Sequence, residues 1–255
     1  MASERRHRSK KRRGRGRFGR LYAVLSLLLV IGAIVGACLV FFKVQHFEVA
    51  GNSRYTAEEI IAATGIQIED NLYLMNKFEI ARQVEKKLPY VEHLLIRRRL
   101  PDTLVITVTE SQAAAAVLTP EEDWWLVDRN GKLLERVADA EGYAKVRGLT
   151  PLLPTVGTQL AVSEEERLKK ETLFSLVAAL EEQGLLGQVN GIDLSSDRQI
   201  LLYYDRSRLQ VRIAMGDDYA IQISRMKKML EQHLTGEDDG VLDLTLEDSI
   251  RFYPK

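Results

Sequence analysis

Twenty-two consecutive residues, Leu21–Phe42, carry no formal charge and consist mostly of Leu, Val, Ile, Ala, Gly and Phe. As a helix this run extends roughly 33 Å at ~1.5 Å per residue, enough to cross a hydrocarbon layer of about 30 Å. A buried helix of a soluble domain has no need of such unbroken apolarity. The run therefore predicts a transmembrane helix over 21–42. Tyr22 and Phe41–Phe42 fall near its ends, where aromatic rings anchor at membrane interfaces.

The charges are divided unequally around that run. Met1–Arg20 holds ten basic side chains against Glu4 alone, a balance of +9, while the remaining 235 residues hold 26 bases and 35 acids, a balance of −9. Excess Lys and Arg mark the cytoplasmic side of a span, so residues 1–20 are predicted as a basic cytoplasmic tail and 43–255 as extracytoplasmic. A cleaved signal peptide would have a shorter apolar core and an A-x-A exit. Val35-Gly36-Ala37-Cys38 has the small-residue approach of a lipoprotein signal, but the apolar run continues through Leu39–Phe42, where such a protein would turn polar. The tail suits anionic lipid near Arg15–Arg20. Without stacking aromatics before Phe18, nucleic acid is not an expected partner.

Cys38 is the only cysteine. The exterior part is thus expected to hold together by core packing, with no disulfide or cysteine metal site.

Beyond the span, Phe47–Ala50 reads as a short strand. Thr56-Ala57-Glu58-Glu59 is a capping-box pattern opening a helix that Gly65 ends. A second helix starts at Asn76, with Glu79 three residues later, and carries Ile80, Val84 and Leu88 before Pro89. Val91–Arg99 and Thr103–Glu110 read as strands joined by Leu100-Pro101-Asp102. The order β-α-α-β-β predicts two helices on a small sheet.

The rest reads as a second, β-rich domain with flanking helices. Asp128-Arg129-Asn130-Gly131 marks a hairpin between Leu126–Val127 and Leu133–Leu134. Ser163-Glu164-Glu165-Glu166 is read as a capping box opening a helix closed by Gly184, with Leu173, Leu176, Val177 and Leu180 on one face. Strands are predicted at Gly191–Leu194, Ile200–Tyr204 and Val211–Met215, then a helix near Tyr219–Leu234. Gly236-Glu237-Asp238-Asp239-Gly240 is a turn before a last hairpin of Val241–Leu244 and Ser249–Tyr253. The fold class is α+β: a single N-terminal transmembrane helix, the β-α-α-β-β unit, and a mixed β-sheet domain.

Site chemistry is not visible. No phosphate loop, H-E-x-x-H or G-x-S-x-G occurs, and His7, His46, His93 and His233 lack metal-ligand spacing. Asp102 and Glu110 bracket one strand, where solvation of the strand ends accounts for them more simply than acid–base work. Arg97 and Arg99 alternate onto one face, as on a solvated sheet. At least one of Trp124 and Trp125 is expected in the core. No catalytic residue, cofactor or metal is expected.

Phe47-Glu48-Val49-Ala50-Gly51-Asn52, Tyr55-Thr56 through Glu59-Ile60, Leu88-Pro89-Tyr90-Val91 and Arg97-Arg98-Arg99-Leu100-Pro101-Asp102-Thr103-Leu104 stand in order behind the span, followed by Ile106, Val108 and Glu110. Together they resemble the POTRA domain of the FtsQ/DivIB family of bacterial cell-division proteins. Trp125-Leu126-Val127-Asp128 with Gly131 resembles the first hairpin of that family's β domain. Two departures stand out: Ser111-Gln112-Ala113 replaces the Pro that many members carry after the hairpin's Glu, and only Pro254-Lys255 follows Tyr253.

The resemblance implies a POTRA domain over 43–112 and a β domain over 113–255. It also implies a non-enzymatic scaffold of the divisome, enriched at the septum, that binds the small bitopic proteins FtsB/DivIC and FtsL, contacts other divisome proteins, and supports septal peptidoglycan synthesis. Ser249, Ile250, Arg251, Phe252 and Tyr253 form the expected partner-binding strand, added to by β-augmentation, with Ile250, Phe252 and Tyr253 giving side-chain specificity. The family's C-terminal strands imply the same patch. Two other classes are weighed: a membrane-anchored extracytoplasmic hydrolase, which needs a cleft of perturbed acids, and a POTRA-bearing transport or assembly component, which would bring repeats or a barrel.

Overall fold

A computed structural model of the chain describes residues 17–216, 218–235, 238–246 and 249–255. The basic tail predicted over 1–20 therefore lies outside the described residues up to 16, as do Gly236 and Glu237 of the predicted turn. The chain divides into two compact units: Met1–Glu48 with Ile66–Met75 and Arg97–Val105, and Val49–Gly65 with Asn76–Ile96 and Ile106–Lys255.

In the first unit, α1 (Arg17–Phe41) contains the apolar run, with Leu21–Phe41 long and apolar enough to cross a membrane and mostly exposed, Gly36 and Cys38 being partly covered. A helix end leaves its last carbonyls without intrahelical donors. Here the Asn71 side-chain amide supplies the Leu39 carbonyl at 3.0 Å and adds a bond at 3.2 Å to the Cys38 carbonyl, which also accepts from Phe42 N–H at 3.3 Å. The adjoining backbone is stitched down by Leu72 N–H to Phe42 O at 2.9 Å, Val44 N–H to Asp70 O at 2.8 Å and Glu69 N–H to Val44 O at 2.8 Å.

Strands β1 (His46–Ala50), β2 (Val91–Arg99) and β3 (Thr103–Glu110) form a three-stranded sheet in the order β1-β3-β2. Leu94 and Ile96 are buried on one face of β2, while Arg97 and Arg99 are exposed and Arg99 pairs with Glu48. The solvated-face reading of these arginines holds.

In the second unit, α2 (Ala57–Thr64) opens with the predicted capping box: Glu59 N–H donates to Thr56 Oγ1 at 3.2 Å, and Thr56 N–H to Glu59 Oε2 at 2.8 Å. Gly65 closes it at φ +70°. Asn76 caps α3 (Lys77–Lys87) through Glu79 N–H at 3.4 Å.

A nine-stranded sheet follows. Its strands are β4 (Ala113–Leu118), β5 (Trp124–Asp128), β6 (Leu133–Val137), β7 (Ala144–Arg147), β8 (Val189–Asp193), β9 (Gln199–Tyr204), β10 (Leu209–Ala214), β11 (Gly240–Asp243) and β12 (Arg251–Pro254). Their order is β12-β11-β10-β9-β8-β7-β4-β5-β6. The pairs β4/β7, β7/β8 and β10/β11 are parallel and the rest antiparallel. Helices α4 (Arg167–Glu182) and α5 (Tyr219–Gln232) supply Leu173, Leu176, Leu180, Ile223 and Met226 to one core with this sheet. Each fully buried Leu contributes roughly 2 kcal/mol of transfer free energy.

Two strands were not expected. β4 reads Ala-Ala-Ala-Ala-Val-Leu, a helix-forming composition, but Ala115 and Val117 enter the core under α4 while Ala116 enters a second core on the opposite face. Burial on both faces overrides local propensity. β7 has only four residues. The capping box expected at Ser163 is not formed. Ser163 makes no cap bond, and Glu166 instead accepts from Thr150 N–H at 2.9 Å and Thr150 Oγ1 at 3.1 Å. A 3₁₀ turn, Glu164–Glu166, therefore precedes α4.

Candidate functional site

The predicted terminal strand is present but displaced: β12 covers Arg251–Pro254, and Ser249 and Ile250 precede it as non-strand residues. It stands at one edge of the large sheet, beside β11. Lys255 N–H donates to Asp239 O at 3.0 Å, and the register pairs Tyr253 with Val241 and Arg251 with Asp243. By the alternation of an antiparallel ladder, the peptide groups of Arg251, Tyr253 and Lys255 face β11, whereas those of Phe252 turn outward. Pro254 shares that outward phase and has no N–H.

Of the three side chains expected to give specificity, Tyr253 is exposed while Ile250 and Phe252 turn inward. Ile250 and Phe252 pack against the sheet–helix core, while Arg251 is exposed and Tyr253 is 46 % exposed. The outer character of the strand thus comes from Arg251 and Tyr253, because successive residues of a strand point to opposite faces. Gly240 permits the close approach of β12. A Cβ at that position would lie 2.3 Å from Tyr253 O and 2.9 Å from the Phe252 ring. Beside β12, Ile250 shares a cavity of 390 Å³ with Arg225, Lys228, Met229, Gln232 and His233 of α5 and its C-cap.

A second polar cluster joins residues 53–92 to residues 110–135. Tyr90 OH donates to Glu135, Arg54 pairs with Glu135 at 3.1 Å, and the Arg54 guanidinium lies 3.6 Å above the Tyr90 ring. Beneath them Tyr90, Ala116, Leu126, Leu134 and Ala140 form a buried apolar core, with Tyr55 and Trp124 packed on it. Trp125 is buried on the other face of the sheet. Arg129 and Asn130 donate to Glu92 at 3.2 and 2.9 Å, and Lys132 Nζ to the Glu85 and Val91 carbonyls at 3.0 and 2.9 Å.

Asp128 is 2 % exposed and fully engaged: it accepts from Asn130 N–H at 2.8 Å, Lys132 N–H at 2.9 Å and Ser111 Oγ at 3.0 Å. Glu110 accepts from Ser53 N–H at 2.8 Å, Arg54 N–H at 3.0 Å and Ser53 Oγ. It lines cavities of 250 and 430 Å³.

The electrostatics of these groups are those of structural contacts. Partial burial pushes the Glu110 carboxyl up, but the Ser53 and Arg54 hydrogen bonds outweigh it and hold it below the ordinary value. Burial likewise opposes, and Arg129 and Asn130 overcome, at Glu92. Asp243 is also displaced downward, burial being outweighed by its bonds from Thr245, and Asp238 is held down by the Thr235 backbone and hydroxyl. Burial and the Glu135 carboxylate push the Tyr90 phenol well up, so it stays a donor. A general acid needs a carboxyl displaced upward; these four are displaced the other way. Among the described residues, no group of three His, Cys, Asp or Glu is placed to hold a metal.

Residues 42–111 match the family profile described as POTRA domain, FtsQ-type, and residues 115–245 match Cell division protein FtsQ/DivIB, C-terminal. The chain belongs to the FtsQ/DivIB family. Similar proteins include the Cell division protein DivIB of Clostridium tetani, 22 % identical over 86 % of this chain and 83 % of that protein. The Cell division protein FtsQ of Syntrophotalea carbinolica is 24 % identical over 82 % and 74 %. The DivIB of Geobacillus kaustophilus is 32 % identical over 50 % and 48 %. The FtsQ-type POTRA match spans the small sheet with α2 and α3, and the FtsQ/DivIB C-terminal match spans β5 through β11. β12 lies beyond the matched range.

Two structural features are not visible in the sequence. Asn71 reads as an ordinary loop residue, because the carbonyls it serves are 32 and 33 positions away. Gly240 reads as the end of a turn, although its missing Cβ is what admits β12.

Proposed function

We propose that this chain is a non-enzymatic, bitopic scaffold of the bacterial divisome. Its basic tail would be cytoplasmic, 21–42 would span the membrane, and the POTRA domain over 43–112 and β domain over 113–255 would lie outside. It binds FtsB/DivIC and FtsL, collects at the septum, and through these partners supports septal peptidoglycan synthesis. The partner-binding segment is Ser249, Ile250, Arg251, Phe252 and Tyr253.

The observation that carries the partner site is the outward-facing peptide group of Phe252 on an edge strand, since an unpaired strand edge accepts another strand. The exposed Tyr253 and Arg251 supply specificity beside it. Family membership supports the division role.

Purification of the full chain from membranes tests the assignment. Recovery of two small bitopic coiled-coil proteins is the expected result, and recovery of neither overturns it.

A further inference from the structure

We propose that Tyr73 and Leu74 form an interfacial anchor, with Leu74 reaching the acyl-chain side of the headgroup boundary at the exit of the membrane span. The inference rests on the reading of α1 as a span. The occupant of the surface is the bilayer itself.

The position follows from what holds the segment. Asn71 donates to the carbonyls of Cys38 and Leu39, four and three residues before Phe42, the last residue of the apolar run. At ~1.5 Å per residue, those carbonyls lie roughly 5 Å short of the end of the run. The headgroup layer of a bilayer is about 5–7 Å deep on each side. A loop bonded at that level cannot stand clear of it.

Asn71 also fixes which side chains follow. Its Oδ1 accepts from Tyr73 N–H at 2.9 Å and Leu74 N–H at 3.3 Å, so one side chain both caps the helix and turns the next two residues. Tyr73 packs edge-on to Phe42, with ring centroids 5.3 Å apart, and the Arg98 guanidinium stands 5.5 Å from the Tyr73 ring. Leu74 is 73 % exposed and Tyr73 46 % exposed. An exposed Leu beside a Tyr, tied to the last turn of a span, matches the aliphatic and aromatic chemistry of a membrane interface. The amide also satisfies the Leu39 carbonyl, which hydrocarbon would leave without a donor, and adds a second bond to the Cys38 carbonyl, which accepts from Phe42 N–H at 3.3 Å.

Full-length protein in vesicles of phosphatidylethanolamine and phosphatidylglycerol tests this. In a Cys38→Ala background, a nitroxide is attached in turn to Ile31→Cys, Leu74→Cys and Leu153→Cys, and its collisions with oxygen and with a water-soluble nickel chelate are compared. Oxygen is expected to dominate at 31 and at 74, and nickel at 153. Oxygen dominance at 31 with nickel dominance at 74 overturns the anchor and leaves the span standing. Nickel dominance at 31 overturns the span. Shielding of 74 from both reagents means that protein covers the site, and overturns the lipid assignment.

Discussion

The side-chain amide of Asn71 donates to the main-chain carbonyl of Leu39 at 3.0 Å, joining the last turn of the apolar helix to a loop 32 residues further on. With its second bond to Cys38 O and the two it accepts from Tyr73 and Leu74, Asn71 uses all four of its hydrogen-bonding positions. Asn71→Ala therefore removes a cap and a turn together. Losing these bonds is expected to cost about 1–2 kcal/mol locally, which accelerates exchange of the Leu72 and Val44 amides roughly ten-fold. Hydrogen exchange of the full chain in vesicles checks this, and unchanged protection at both amides would refute the clamp.

Glu110 anchors the turn at Ser53–Arg54 as a carboxylate. Its folded-state pKa lies below its ordinary value of 4.5. The stability it contributes is therefore present above that ordinary value and is lost as pH falls through the folded one. Glu110→Gln is expected to lower stability by about 1–2 kcal/mol at neutral pH, the scale of hydrogen bonds to a charged group. The difference from the parent protein should shrink as pH falls below that ordinary value and through the lower folded one. Urea titrations at several pH values measure it. A gap that widens in acid would contradict this account.

Tyr90, Glu135 and Arg54 act as one group. Tyr90→Phe and Glu135→Gln are each expected to destabilise, and the double variant to cost less than their sum, with a coupling energy of about 1 kcal/mol. Strict additivity in chemical denaturation would mean the hydroxyl–carboxylate contact contributes nothing.

Gly240→Ala tests how β12 is seated without altering the strand itself. The added Cβ would meet the Tyr253 carbonyl at 2.3 Å, a backbone atom that can yield only if the strand moves. The variant is expected to lose about 1–3 kcal/mol, the usual scale of overpacking. Proteolysis near residues 250–255 should accelerate, while the core around Leu176 stays protected. Equal susceptibility of variant and parent would show that β12 does not depend on that approach.

The fold was legible wherever one face of an element is buried and its ends carry local signals. The Thr56–Glu59 box, the Asn76 cap and the alternation along β2 are of this kind, since each is written within a few residues. β4 was not legible, because four alanines become a strand only once both faces are covered by chain far away in sequence. The Ser163 box failed for a related reason. Its Glu166 finds Thr150, sixteen residues back, and leaves the helix start uncapped. The terminal strand was found to within two residues. That Ile250 and Phe252 turn inward was not legible, since packing against α5 and the helix core decides the phase of β12, and a five-residue run does not.

The central claim, that the β12 edge receives a partner strand, is met most directly by photo-crosslinking in dividing cells, with benzoylphenylalanine placed at Tyr253 and, as a control, at Val137 on the opposite edge strand β6. The account predicts a covalent adduct with a small bitopic division protein from position 253 and none from 137. No adduct from 253, or the same adduct from 137 alone, would contradict it.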